Sequence, residues 1–162
     1  MSELPSLLQR LSDAGIEFVV VGGVAAVLHG SSMVTRDLDV CAELTSQNLE
    51  KLRDAFRDFH PMHRISSPRL SFLEVPEPGV SLLNLYLQTD LGALDVLGSI
   101  TGVGDFDQVR ASAIEVDLFG RKVKVIALEQ LIRAKEAVGR PKDLMAVTEL
   151  RAVAVRMGSI PD

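Results

Sequence analysis

The spacing of apolar side chains divides the chain into a regular succession of elements. Leu4, Leu7, Leu8 and Leu11 recur at the helical period, which predicts a helix over Glu3 to Ala14 that Gly15 ends. Ile16 to Val21 is apolar and β-branched enough to be a strand buried on both sides. Gly22-Gly23 interrupts this run, Val24 to Leu28 predicts a short helix, and His29-Gly30-Ser31-Ser32 reads as its exit. A second strand is predicted over Asp37 to Ala42. After it comes a helix capped by Thr45 or Ser46, with Leu49, Leu52, Phe56 and Phe59 along one side.

The middle of the chain is punctuated by turn residues. His60 to Pro68, and then Pro76, Pro78 and Gly79, have the composition of an irregular surface connection, with a short strand over Leu70 to Val75. Ser81 to Gln88 and Ala93 to Leu97 flank Thr89-Asp90-Leu91-Gly92 and predict a hairpin. Gly98 to Gly104 is glycine-spaced, and Asp105 to Ala113 predicts a short helix or turn. Glu115 to Phe119 and Arg121 to Ile126 form a second hairpin around Gly120. The remainder is helical: Leu128, Leu131, Ile132 and Val138 share one face with Lys135, and Gly139 stops that helix. Pro141 then opens another to about Met157, with Leu144, Val147, Leu150 and Ala154 inward. The expectation is one domain of α/β (α+β) class, a mixed twisted sheet flanked by helices over about 16–126 and a C-terminal helix pair over about 128–157.

Asp37 and Asp39 carry the first chemical signal. Residues two apart on a strand point the same way, so the two carboxylates sit side by side. A divalent, oxygen-seeking cation such as Mg²⁺ neutralises such a pair, and it takes one or two carboxylates plus substrate phosphates in preference to a closed protein cage. The solvent face of an edge strand carries the same alternation of acids. The Gly22-Gly23 pair upstream allows a sharp turn and close approach of main-chain N–H groups to an anion, and it also suits a plain strand-to-helix turn. Asp95 lies mid-strand in Leu94-Asp95-Val96-Leu97, where an unpaired carboxylate is costly unless it meets a cation or water. Asp90 occupies a position where a turn favours Asp in any case.

Composition narrows the classes. At 162 residues the chain can bury one core, and 47% apolar with 24% charged residues is ordinary for a globular domain. A net charge of −5 does not advertise non-specific nucleic-acid binding. The single cysteine, Cys41, forbids an internal disulfide, and no apolar run reaches the ~18 residues of a membrane span. With no basic and apolar leader in the sequence, the expected address is the cytoplasm. His60 and His63, three apart beside Arg64, could form a substrate lip, but they lack the cysteine partners of a zinc site. Gly102 and Gly104 have no third glycine at the spacing of a dinucleotide fingerprint.

The stretch Gly22-Gly23, Ala25-Ala26, His29-Gly30, Thr35-Arg36-Asp37-Leu38-Asp39 resembles the signature of the DNA polymerase beta-like nucleotidyltransferase superfamily, especially its small bacterial members. Met33 stands where many relatives have an arginine, a role Arg36 could share. Lys135 followed by Arg140-Pro141-Lys142-Asp143 resembles the second signature of abortive-infection type nucleotidyltransferases. The resemblance implies the nucleotidyltransferase fold and transfer of a nucleoside monophosphate from an NTP to an acceptor hydroxyl. It implies two divalent ions, Mg²⁺ or Mn²⁺, held by the catalytic acids Asp37, Asp39 and Asp95, the last joining the other two on the second ion. It further implies nucleotide contacts from Gly22, Gly23, Thr35, Arg36, Lys135, Arg140 and Lys142. Relatives use small molecules, tRNA ends and partner proteins as acceptors, and some act in toxin–antitoxin pairs. A catalytically silent nucleotide- or partner-binding module of such a system is therefore the alternative reading.

Overall fold

The computed structural model describes residues 3–74, 82–158 and 160. In chain order the helices are α1 (Leu4–Asp13), α2 (Gly22–Leu28), α3 (Ser46–Phe56), α4 (Phe106–Ala111), α5 (Leu128–Val138) and α6 (Pro141–Arg156). The strands are β1 (Val19–Val21), β2 (Leu38–Cys41), β3 (Met62–His63), β4 (Asn84–Thr89), β5 (Gly92–Leu97), β6 (Ser99–Ile100), β7 (Gly104–Asp105), β8 (Ile114–Leu118) and β9 (Arg121–Val125).

Seven strands form one mixed sheet in the order β3-β4-β5-β2-β1-β9-β8. β1 pairs antiparallel with β2 and parallel with β9, while β2 runs parallel to β5. The sheet's central position explains the three consecutive buried valines of β1, which meet packed side chains on both faces. Along β2 and β5, Leu38, Val40, Leu94 and Val96 are buried and share one face; Asp39 and Asp95 fall on the other. Leu7, Leu8 and Leu11 of α1 and Leu49, Leu52 and Phe56 of α3 are buried in the same core, and the two helices pack together. α2, α5 and α6 make a second group, α5 packing against both of the others. Among the described residues, no helix is long and apolar enough to cross a membrane.

Both predicted hairpins form. Thr89 pairs with Gly92 and Leu118 with Arg121, leaving two-residue loops. The second loop places Phe119 and Gly120 both at positive φ, the geometry that matches the twist of hairpin strands. The mixed α/β architecture flanked by helices is as expected, and so is the closing helix pair.

Several details differ. Strand β1 covers only Val19–Val21, because its antiparallel partner β2 is short and pairs from Cys41 to Asp39 only. The helix after it begins at Gly22 itself. Phe59 lies in a separate 3-10 turn (Arg57–Phe59) beyond α3. The Pro-flanked connection contributes an edge strand, β3, which pairs with β4, and Ser71 forms an isolated bridge to Met62 in place of a longer strand. Val75, Pro76, Pro78, Gly79 and Ser81 lie outside the described residues. The glycine-spaced segment folds as a two-stranded ribbon of β6 and β7. Leu144 and Val138, both expected inward, are exposed.

Candidate active site

The site is built on the parallel pair β2 and β5. Asp39 and Asp95 are directly opposite in the register, so their side chains leave adjacent strands on the same face. Asp37 precedes β2 by one residue and is exposed. On the other side, Asp39 faces Val21, the last residue of β1, and the chain turns at once into α2. Gly22 makes that turn at φ +63°, and a β-carbon there would lie 2.2 Å from Asp39 Oδ2. The next glycine serves a different neighbour: a β-carbon on Gly23 would lie 2.6 Å from Thr35 Oγ1. No side chain caps the N-terminus of α2, so its first N–H groups remain available.

The second half of the site comes from the α5–α6 junction. Gly139 ends α5 in the left-handed conformation, its N–H donating to Lys135 O at 2.9 Å, and Pro141 starts α6. Asp143, in the first turn of α6, is buried and accepts from Arg140 Nε at 2.6 Å. Lys135 Nζ stands 3.9 Å from Asp143 Oδ1. The Arg140 hydrogen bond holds the Asp143 carboxyl below the usual carboxylate range, while burial pulls the Lys135 ammonium down.

Between the two halves lies a cleft of about 200 Å³ lined by Gly22, Gly23, Thr35, Asp37 and Asp39 on one side and Lys135, Arg140, Lys142 and Asp143 on the other. Thus eight of the ten residues singled out from the sequence line one cleft. Asp95 adjoins Asp39 from the neighbouring strand, and Arg36 is exposed and does not line the cleft. Met33 lines the cleft as well. A second, more apolar recess is lined by Val21, Leu97, Ile100, Leu131 and Val138, and it shares Gly22, Asp39, Lys135, Arg140 and Asp143 with the cleft.

Burial, and after it the charges of Asp95 and Asp37, push the Asp39 carboxyl up to about 7, against the opposing pull of Arg64 and Lys135. Among the described residues no three His, Cys, Asp or Glu side chains are gathered tightly enough to form a metal cage by themselves. The donor set nevertheless fits a hard cation, being made of carboxylate oxygens, one of them on an Asp39 whose raised carboxyl a bound cation would return to the charged form.

The supposed lip of His60, His63 and Arg64 comes apart. His60 pairs with Asp90 at 2.6 Å beside the hairpin turn, and His63 packs edge-on against Phe72 with ring centroids 5.7 Å apart. Arg64 alone turns to the site, where its Nη2 ion-pairs with Asp95 Oδ1. His29 is a tie between elements: its Nε2 hydrogen-bonds Ile126 O at 2.7 Å.

No known family profile matches the chain, and no curated protein matches it. Solved structures do. The crystal structure of the lincosamide antibiotic adenylyltransferase LnuA bound to lincomycin superposes with a TM-score of 0.61 at 18% identity, over 93% of this chain and 96% of that one. The fold is that of the nucleotidyltransferases. ANT(2'')-Ia in complex with adenylyl-2''-tobramycin matches at a TM-score of 0.56 and 14% identity, over 96% of this chain and 90% of that one. An antigenic nucleotidyltransferase-like protein from Paracoccidioides brasiliensis matches at 0.53 and 18% identity, over 93% of this chain and 73% of that one.

The sequence named Arg64 only as part of a lip, without its acidic partner, and left Glu149 unmarked. Arg64 reaches Asp95 from 31 residues away, and Glu149 reaches Ser32 across 117 residues, accepting from its N–H at 2.8 Å and its Oγ–H at 2.6 Å. No local pattern announces either contact, because each is created by the packing of separate elements.

Proposed function

We propose that this protein transfers a nucleoside monophosphate from an NTP to a hydroxyl group of an acceptor, releasing pyrophosphate. The observation that carries the reading is the in-register pairing of Asp39 with Asp95 beside the Gly22 turn, with Asp39 and Asp37 lining a cleft whose opposite wall is cationic. In such a transfer the acceptor oxygen bonds to the α-phosphorus, the bond from that phosphorus to the oxygen bridging toward the β-phosphate breaks, and the hydroxyl proton passes to a carboxylate. Catalysis of this kind depends on positioning and on offsetting phosphate charge.

Each part of the cleft has a role in that scheme. The uncapped N–H groups of Gly22 and Gly23 approach the phosphates, with Thr35 held against the second glycine. Lys135, Arg140 and Lys142 supply positive charge from the far wall, and buried Asp143 fixes the first two of them in place. Asp37, Asp39 and Asp95 would hold Mg²⁺ or Mn²⁺, which lowers the charge on the phosphates and the pKa of a hydroxyl it contacts. Asp95, beside Asp39 on the neighbouring strand, would receive the acceptor proton.

The acceptor is open to experiment. The neighbours LnuA and ANT(2'')-Ia carry lincomycin and adenylyl-2''-tobramycin in their structures, which puts hydroxylated small molecules first in the trial set. tRNA and partner proteins, including a toxin–antitoxin partner, complete it. Purified protein incubated with labelled NTPs, Mg²⁺ and these acceptors should release pyrophosphate and label one acceptor class. Asp39→Asn and Asp95→Asn should each abolish labelling. Clear nucleotide binding with no pyrophosphate under any condition would favour the silent binding module, and labelling that survives both substitutions would refute the assignment of the acids.

A further inference from the structure

The third carboxylate of the site already has a cationic partner from the chain itself. Arg64 follows the edge strand β3, and its backbone N–H donates to Tyr86 O at 2.9 Å, so its main chain is anchored to β4. Tyr86 is in turn the strand partner of Asp95. From this anchor the guanidinium passes over the Tyr86 ring, 5.9 Å from the centroid, and reaches the Asp95 carboxylate. The charges of Asp37 and Asp39 act on it too.

Two features make this an exchangeable contact. Strong arginine–carboxylate pairs are usually two-pronged, with two parallel N–H donors on two oxygens. Here a single donor, Nη2, meets Oδ1, while the Nε–H of Arg64 is buried without any acceptor. An orphaned buried donor disfavours the arrangement that contains it. The pair also lies within reach of solvent, with 29% of the Arg64 side chain and 16% of the Asp95 side chain exposed. A guanidinium with a fixed main chain, a long flexible stem and one unmet donor has a route away from Asp95 that needs no backbone movement.

We propose that Arg64 is a built-in counter-cation that competes with a divalent cation for Asp95, so that Asp95 joins Asp37 and Asp39 on the ion only after the Arg64 side chain has swung away. This rests on the reading that the three acids hold a divalent cation. Arg64 is therefore a positioning residue: it offsets the repulsion among the acids when no cation is bound, and it sets the cation concentration at which the site assembles.

The test uses the full chain without nucleotide, titrated with Mn²⁺ and followed by loss of the free-ion electron paramagnetic resonance signal. Wild type, Arg64→Gln, Asp95→Asn and the double variant form a cycle, each checked for folding by thermal unfolding. Loss of one unit of positive charge a few ångströms from the ion supports a gain in affinity of about tenfold or more for Arg64→Gln. Competition predicts that most of this gain disappears in the Asp95→Asn background. An equal gain in both backgrounds means that Arg64 acts by repulsion alone and overturns the proposal, as does no gain. If no form, wild type included, binds Mn²⁺, the reading beneath it falls as well. Should Arg64→Gln not fold, the wild-type Nε–H resonance of Arg64 decides: Mg²⁺ at saturation should shift it, and an unmoved signal refutes the exchange.

Discussion

Gly22 and Asp39 share a space that admits only one of their side chains. A β-carbon on Gly22 would lie 2.2 Å from Asp39 Oδ2 and 2.9 Å from both Cβ and Cγ, so rotating the carboxylate cannot relieve the overlap. Gly22 also sits at φ +63°, which any L side chain adopts at a cost. Gly22→Ala should therefore lower stability by about 1–3 kcal/mol and displace Asp39. Nucleotidyl transfer should fall by about a hundredfold, the scale of losses from small misplacements of reacting groups. Denaturant unfolding beside pyrophosphate release checks both. An alanine variant with wild-type stability and activity would show that the turn has more freedom than this contact implies.

Asp39 gives the site a pH dependence with a defined sign. Its carboxyl is raised from an ordinary value of 3.8 to about 7, first by burial and then by Asp95 and Asp37. Between those values the folded protein holds a proton that the unfolded chain has released. The stability linked to this group is therefore complete below about 3.8 and lost as pH rises through about 7. Without divalent cation, the melting temperature of wild type should fall more steeply from pH 6 to pH 8 than that of Asp39→Asn. A cation displaces the same proton, so Mn²⁺ should raise the melting temperature more at pH 8 than at pH 6. Parallel pH curves for the two proteins would contradict this.

The parts of the site that could be read from the sequence are those fixed by local rules. The alternation of strand side chains placed Asp37 and Asp39 on one face, and the glycine pair marked the turn beside them. Asp95 was readable because a carboxylate inside an apolar run asks for a partner. What escaped depends on how elements pack. Apolar periodicity turned Leu144 inward along with Val147, Leu150 and Ala154, yet the inner positions of α6 are Asp143, Ala146, Val147, Leu150, Val153 and Ala154. A buried acid holding Lys135 and Arg140 takes the place that a hydrophobic count gives to its neighbour. Arg64 stood in a loop-like stretch whose short edge strand exists only because β4 is there to pair with it.

Asp143 should behave as a keystone for two cations at once. Asp143→Asn keeps the shape and removes the charge that Arg140 and Lys135 share. Loss of a buried charge-assisted hydrogen bond should cost about 1–3 kcal/mol in stability. The effect on transfer should appear mainly as weaker nucleotide binding, because the freed cations are less well placed toward the cleft. Titration calorimetry with a non-hydrolysable NTP analogue beside kcat and KM measurements separates these effects. A fall in kcat with unaltered nucleotide affinity would mean that the α5–α6 junction does not meet the phosphates.

Glu149 offers a way to disturb the acid-bearing loop without touching the cleft. Its carboxylate accepts from both the N–H and the Oγ–H of Ser32, and Ser31 Oγ accepts from Met33 N–H at 3.1 Å, so α6 holds the start of the segment that leads to Thr35 and Asp37. These bonds lower the Glu149 carboxyl from its ordinary value, with Ser32 the main cause. Because Glu149 is only partly buried and its bonds tether a single segment, its replacement should leave global unfolding nearly unchanged. Glu149→Ala should instead speed amide exchange from Ser32 through Asp37 by about tenfold, since local opening is set by the contacts that tether a segment. Nucleotide affinity should weaken with it, while Glu149→Gln, which keeps an acceptor for the Ser32 N–H, should lie between the two. Exchange in that segment indistinguishable from wild type would show that Thr35, packed against Gly23, fixes the loop without help from α6.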